Sequence, residues 1–208
     1  MNVIKALRWR YAVKRFANEA IDEADVHQLL AATRLSASSY GMQPYRLLVV
    51  RSPDIRHELL AHSLGQEKVA QCSHLIVFAA QTNIGDDTVE KYVNQVSAVR
   101  NVPTSELTGM SDHFKAALMA MTPQQRQEWA HQQAYIALGT FLTCAATMEI
   151  DCCPMTGFER NGFDKVLGLA DRNLTTTAIC PIGKRHPDDA SAHAKKVRFD
   201  MDELVIGL

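Results

Sequence analysis

Runs of apolar residues alternate with stretches whose apolar positions recur at helical spacing, and this pattern lays out the elements. Leu47–Val50 (LLVV) and Leu75–Ala80 (LIVFAA) are short and continuously apolar, and Thr175–Gly183 (TTTAICPIG) is rich in β-branched residues. Each reads as a buried strand. Between them the period changes. Asp22 is placed to cap a helix carrying Val26, Leu29, Leu30 and Thr33 on one face and ending near Ser36. Ser52-Pro53 opens a helix to about His62. Asp86 to about Val99 and much of Glu106–Met121 are helical. Thr122-Pro123 starts the longest helix, reaching about Met148 with Trp129, Ile136, Phe141 and Leu142 inward. Asp151–Pro154 then leads into a loop and Phe163–Leu167 reads as a short helix. Continuously apolar strands between helices imply a sheet covered on both faces.

At 208 residues the chain is most simply one domain, spanning 1–208. The polar, helical region at about 86–121 sits as an insertion between the second strand and the long helix. Residues from about 188 to 208 form a C-terminal extension, polar and basic and then apolar at Leu204-Val205-Ile206. That apolar end docks either on a second subunit or on its own domain. No internal repeat, no GxGxxG and no GxxxxGK[ST] is present, so the common dinucleotide and P-loop folds have no direct support.

Composition is that of a globular protein, 47% hydrophobic and 22% charged. No apolar run reaches the length of a membrane span, and the opening residues show no secretory signal. Five cysteines, Cys72, Cys144, Cys152, Cys153 and Cys180, stand mostly in apolar runs without a CxxC pair, which fits reduced thiols in the cytoplasm. No His/Cys cluster of zinc spacing accompanies them. A formal net charge of -1 gives no support for nucleic-acid binding.

Against that near neutrality, positive charge is concentrated at Arg8, Arg10, Lys14 and Arg15, interleaved with Trp9 and Phe16. A solvated helix end with snorkelling side chains would account for it, and so would a half-buried anion such as a phosphate. Three further segments bear on the choice: Ser36–Arg46 (SASSYGMQPYR), Cys152–Phe158 (CCPMTGF) and Lys195-Lys196-Val197-Arg198. Taken together and in this order, the four segments resemble the nitroreductase family, and within it the oxygen-insensitive NAD(P)H nitroreductase and flavin-reductase branch. The likeness runs over nearly the whole chain. It implies an α+β fold, a central and mostly antiparallel sheet flanked by helices, in an intertwined homodimer with FMN at the interface.

The resemblance also implies roles. Arg10, Lys196 and Arg198 would hold the FMN phosphate, beside Tyr11 and Ala12. Lys14 and Lys68 would reach the pyrimidine edge of the flavin, where positive charge favours its reduced anion. Ser38 and Ser39 correspond to serines offered by the partner subunit, Gln43 to a glutamine in the same loop, and Gln133 to a glutamine near the ribityl chain. Pro44 is expected to make Gln43 extended. Pro154 and Met155 would pack under the ring, with the N–H groups of Thr156 and Gly157 aimed at it. NAD(P)H would donate hydride and a nitroaromatic, quinone or flavin would accept it, in a ping-pong cycle without a catalytic side chain. Two alternatives stay open: a flavoenzyme of this fold specialised for one metabolite, and a non-enzymatic FMN-binding or storage protein. The chain departs from the family pattern at Tyr11 (a basic residue or histidine), Ala12 (serine), Gly41 and Gly65 (asparagine), and Thr156 (glutamate).

Overall fold

A computed structural model describes residues 2–208. Four strands form one antiparallel sheet in the order β1-β2-β4-β3. They are β1 (Tyr45–Val50), β2 (His74–Gln81), β3 (Asp151–Cys152) and β4 (Leu174–Gly183). β2 lies in the middle, and alternate residues along it enter two cores. Ile76 and Phe78 join Leu29, Ala137 and Phe141 on one face, while Leu75 and Val77 join Val13, Leu59, Phe163 and Ile179 on the other. The sheet is therefore covered on both faces, as the continuous apolar runs require.

The first face is covered by α2 (Glu23–Arg34) and α7 (Pro123–Thr147). Asp22 caps α2 by accepting from the Ala24 N–H at 2.8 Å. Thr122 and Gln125 form a reciprocal cap at the head of α7, ahead of Pro123. The buried stripe of α7 is Ala130, Gln133, Ala134, Ala137, Leu138, Phe141 and Ala145, and its small residues let the helix close on the sheet. Trp129 and Phe141 point inward as expected, and Leu142 packs partly buried against the core. Ile136 does not: it falls off the alanine stripe and is 46% exposed beside Tyr135.

The second face carries α3 (Pro53–Leu60), α4 (Lys68–Gln71) and α8 (Arg160–Val166). The helices α5 (Asp86–Arg100) and α6 (Thr108–Met119) make the 86–121 region and pack through Val89, Val93 and Leu118 against Trp129 and Ala130 of α7. The segment expected to lead into a loop begins with a short strand the sequence did not mark, β3, because Asp151 and Cys152 pair with Gly183 and Ile182. The chain opens with α1 (Val3–Trp9) and ends with a single turn, α9 (Met201–Leu204), after which Val205 and Ile206 lie on the surface.

Candidate functional site: a cationic pocket between the two ends of the chain

Arg10–Phe16 is not a solvated helix end. α1 stops at Trp9, and the next residues run along the sheet edge. Ala12 bridges Cys152, the Val13 N–H donates to the Cys152 carbonyl, and Phe16 bridges Arg185. A Cβ at Gly183 would sit 2.7 Å from the Phe16 ring, so glycine there permits the close approach. Arg185 holds the segment from behind. Its guanidinium lies 4.3 Å from the Trp9 ring centroid and 4.8 Å from that of Tyr11, and its Nε donates to the buried Asp151 carboxylate at 2.8 Å.

On the other side of this segment is a cavity of about 360 Å³ shared with the C-terminal extension. Six cationic side chains line it (Arg8, Arg10, Lys14, Lys195, Lys196 and Arg198), together with Tyr11 and Ala12, and no carboxylate does. Arg10 Nε is buried with no hydrogen-bond partner among the described residues. Lys196 donates to the Leu7 carbonyl at 2.6 Å and to the Arg10 carbonyl, closing the end of α1. Burial, then Arg10 and Arg198, push the Lys196 ammonium below its usual range, which marks positive charge crowded without a counter-ion.

Lys68 opens α4 and is 8% exposed, with no hydrogen bond or ion pair among the described residues. Burial raises the Cys153 thiol, while the charges of Lys68, Lys14 and Arg10 act to lower it. Met155 is buried against β4, exchanging both backbone hydrogen bonds with Ile179 at 2.8 and 3.0 Å, and Pro154 is half-buried. The following N–H groups of Thr156 and Gly157 have no acceptor among the described residues. Gln66 donates to the Gly157 carbonyl at 2.8 Å and so ties this turn to the loop that presents Lys68.

Ser38, Ser39, Gln43 and Gln133 form a separate group. Gln133 is buried, and its Oε1 accepts from the Ser39 N–H at 2.7 Å while its Nε2 donates to the Trp129 carbonyl. Its side chain is thus committed to orienting the serine loop. The expected extended conformation at Gln43 is a miss: its φ is 46°. The Gln43 N–H is held by Ser38 Oγ, Nε2 by the Arg34 carbonyl, and the Tyr45 N–H closes onto the Gln43 carbonyl at 2.7 Å. Those anchors outweigh the preference that Pro44 imposes. Neither Ser38 nor Ser39 lines the cationic pocket, and no hydrogen bond among the described residues joins them to it.

Two departures from the family pattern have local causes. Tyr11 stacks on Arg185 and donates through its hydroxyl to Asp189 at 3.0 Å. Gly41 has φ +77°, and a Cβ there would run into the Tyr92 hydroxyl. Sequence reasoning missed a second cavity of about 620 Å³ beside Thr156, lined by Tyr135, Phe158, Glu159, Arg160 and Thr177 among others. The β2–β4 register shifts between Phe78 and Ala79, which sets Thr177 as the extra residue. Thr177 lines this cavity, with His131 Nδ1 at 2.7 Å from its hydroxyl. A bulge inside a β-branched run leaves no mark in the hydrophobic pattern.

The fold and site define a helix-covered antiparallel sheet with a cation-lined pocket built from the two ends of the chain. The nitroreductase family model matches residues 7–184, and the chain belongs to that family. It is 31% identical to a Staphylococcus saprophyticus protein provisionally named an NAD(P)H nitroreductase, over 98% of this chain and 95% of that one. It is 24% identical to the oxygen-insensitive NAD(P)H nitroreductase of Salmonella typhimurium, over 97% of each. Its fold matches that of an Exiguobacterium sibiricum protein, provisionally called a nitroreductase and crystallised with FMN, with a TM-score of 0.85, 15% identity and coverage of 100% and 98%.

Proposed function

We propose that this chain is an FMN-dependent oxidoreductase that takes electrons from NAD(P)H and passes them to a small-molecule acceptor, a nitroaromatic, a quinone or a flavin. The observation that carries the reading is the pocket of six cations with an orphaned, buried Arg10 Nε and no carboxylate in its lining. A dianionic phosphate of FMN would fit it, held by Arg10, Lys196 and Arg198 beside Tyr11 and Ala12. Bound FMN would supply the hydride chemistry. Lys14 and Lys68 would stabilise negative charge on its pyrimidine edge, and the buried, unpaired Lys68 supports that role. Pro154 and Met155 offer an apolar floor, and the free N–H groups of Thr156 and Gly157 are available to its rim. No side chain is needed as acid or base.

The active form is a homodimer. Ser38, Ser39, Gln43 and Gln133 stand apart from the cationic pocket, so a second copy would bring them to it. Val3, Ile4 and Leu7 of α1, Tyr135 and Ile136 of α7, and Val205 and Ile206 in the tail expose apolar surface that such a partner would cover. Donor and acceptor use one site in turn, which gives the ping-pong cycle. The chain is a single domain, with the helices of 86–121 as an insertion and 188–208 as an extension. Its five free thiols favour the cytoplasm. No helix among the described residues is long and apolar enough to cross a membrane.

The test is the visible spectrum of the purified protein, followed by NADH or NADPH without air. Flavin bands that bleach are expected. Bands that persist would favour a storage role, and a colourless protein that FMN cannot reconstitute would overturn the reading.

A further inference from the structure

Asp189 is a carboxylate set directly behind the cationic pocket, yet it pairs with none of the cations. It is 4% exposed and makes no ion pair among the described residues. Its Oδ2 accepts from Tyr11 Oη at 3.0 Å, the Lys14 N–H at 2.8 Å and the Arg15 N–H at 3.3 Å. Its Oδ1 accepts from the Ser191 N–H at 3.0 Å. Burial opposes the charged form, but the Lys14 and Ser191 N–H groups, the Tyr11 hydroxyl and the Arg15 N–H outweigh it, and the carboxyl sits below its usual range. Every donor but one is a backbone group, so the contacts fix the path of the chain rather than the position of a charge.

Those contacts join two walls of one pocket. Tyr11 and Lys14 line it from the first segment, and Ser191, Ala192 and Ala194 from the extension. Lys196 joins the same two segments further along, through the Leu7 and Arg10 carbonyls.

We propose that Asp189 is the positioning residue of the anion pocket, setting the spacing between the Arg10–Lys14 and Ser191–Arg198 walls and so making the protein select a phosphorylated flavin over riboflavin. The inference rests on the reading of the pocket as an FMN phosphate site. It predicts an effect opposite in sign to simple electrostatics. A negative charge next to a phosphate site repels the ligand, so removing it as a mere charge would tighten FMN binding. Removing it as a brace lets the walls separate, and FMN binding weakens although the pocket has become more positive.

Flavin-free full-length protein is titrated with FMN and with riboflavin, following quenching of flavin fluorescence. In Asp189→Asn one acceptor oxygen becomes an NH2 group facing N–H donors. FMN affinity should fall about tenfold or more, with riboflavin affinity held within about twofold. Asp189→Glu keeps the negative charge and moves the carboxylate by one methylene from its N–H donors. It should weaken FMN by about threefold with riboflavin again unchanged, and it carries the test if Asp189→Asn does not fold. FMN binding that tightens or stays the same, or equal losses for both flavins, overturns the proposal alone. A wild-type protein that binds neither flavin overturns the functional reading and the proposal together.

Discussion

Arg185 and Arg10 stand beside the same aromatic residues and handle their charge in opposite ways. Arg185 is paired into the scaffold, although its buried Nη2, 2.6 Å from Asp151 Oδ1, makes an ion pair and no aligned hydrogen bond. Its Nε and backbone N–H both donate to Asp151, and Trp9 and Tyr11 flank its guanidinium plane. Arg10 has a buried Nε with no partner and faces five other cations. A chain folding for stability alone would neutralise both, because an unpaired buried polar group costs about 1–3 kcal/mol. The difference separates an arginine used as scaffold from one held open for a ligand.

The sharpest way to break this contrast is to remove Asp151. Asp151→Ala leaves the Arg185 charge uncompensated in a largely buried site, and removing one partner of such a pair costs roughly 3 kcal/mol. For a chain of this size that lowers the Tm by roughly 6–12 °C, read by thermal denaturation. A Tm within about 2 °C of wild type would show that Asp151–Arg185 is not scaffold.

The converse experiment is Arg10→Ala. It removes a charge that no carboxylate among the described residues pairs with, so the Tm of the flavin-free protein should hold or rise slightly. FMN affinity should fall by roughly 2 kcal/mol, about thirtyfold, from the loss of charge-assisted hydrogen bonds. Lys68→Met extends the same logic to the buried lysine of α4. Stability should rise by about 1 kcal/mol as an unpaired ammonium leaves a site that is 8% exposed, while reduction by NAD(P)H slows. A destabilised Lys68→Met would mean that the ammonium has a structural partner.

The same contrast explains what was legible in the sequence. The three long strands, the capped heads of α2 and α7 and the covered sheet follow from local signals: β-branched runs, Asp22, and Thr122-Pro123. The basic residues of the pocket were visible as charge in a nearly neutral chain. β3 was not, because two residues carry no period, and what makes them a strand is their pairing with β4. Ile136 was placed inward because an apolar residue on a buried helix usually is; its neighbours Ala134 and Ala137 took the core face. Asp189 and Thr177 were missed for one reason. Each acts through partners more than 40 residues away or through a bulge, and neither spacing nor composition encodes such contacts.

A third carboxylate gives the mildest test, since Glu23 pairs its charge at the surface. It accepts from Arg51 Nε at 2.9 Å and meets His74 Nε2 at 2.8 Å, which joins the head of α2 to the start of β2. Arg51 first, then His74, hold its carboxyl down at about 2, against 4.5 for the unperturbed group. A folded-state pKa below the unfolded one means that the stabilisation is complete above about pH 4.5 and is lost as pH falls toward 2. Glu23→Gln should therefore flatten the acid limb of the Tm-against-pH curve in that window, with a small loss at pH 7 because an exposed pair is well screened. Adding about 1 M salt at pH 7 should shrink the difference between wild type and variant. An acid limb of unchanged slope in Glu23→Gln would place the pH sensitivity at the buried carboxylate Asp189, whose carboxyl is also held below its usual range, and so inside the scaffold that holds the cationic pocket.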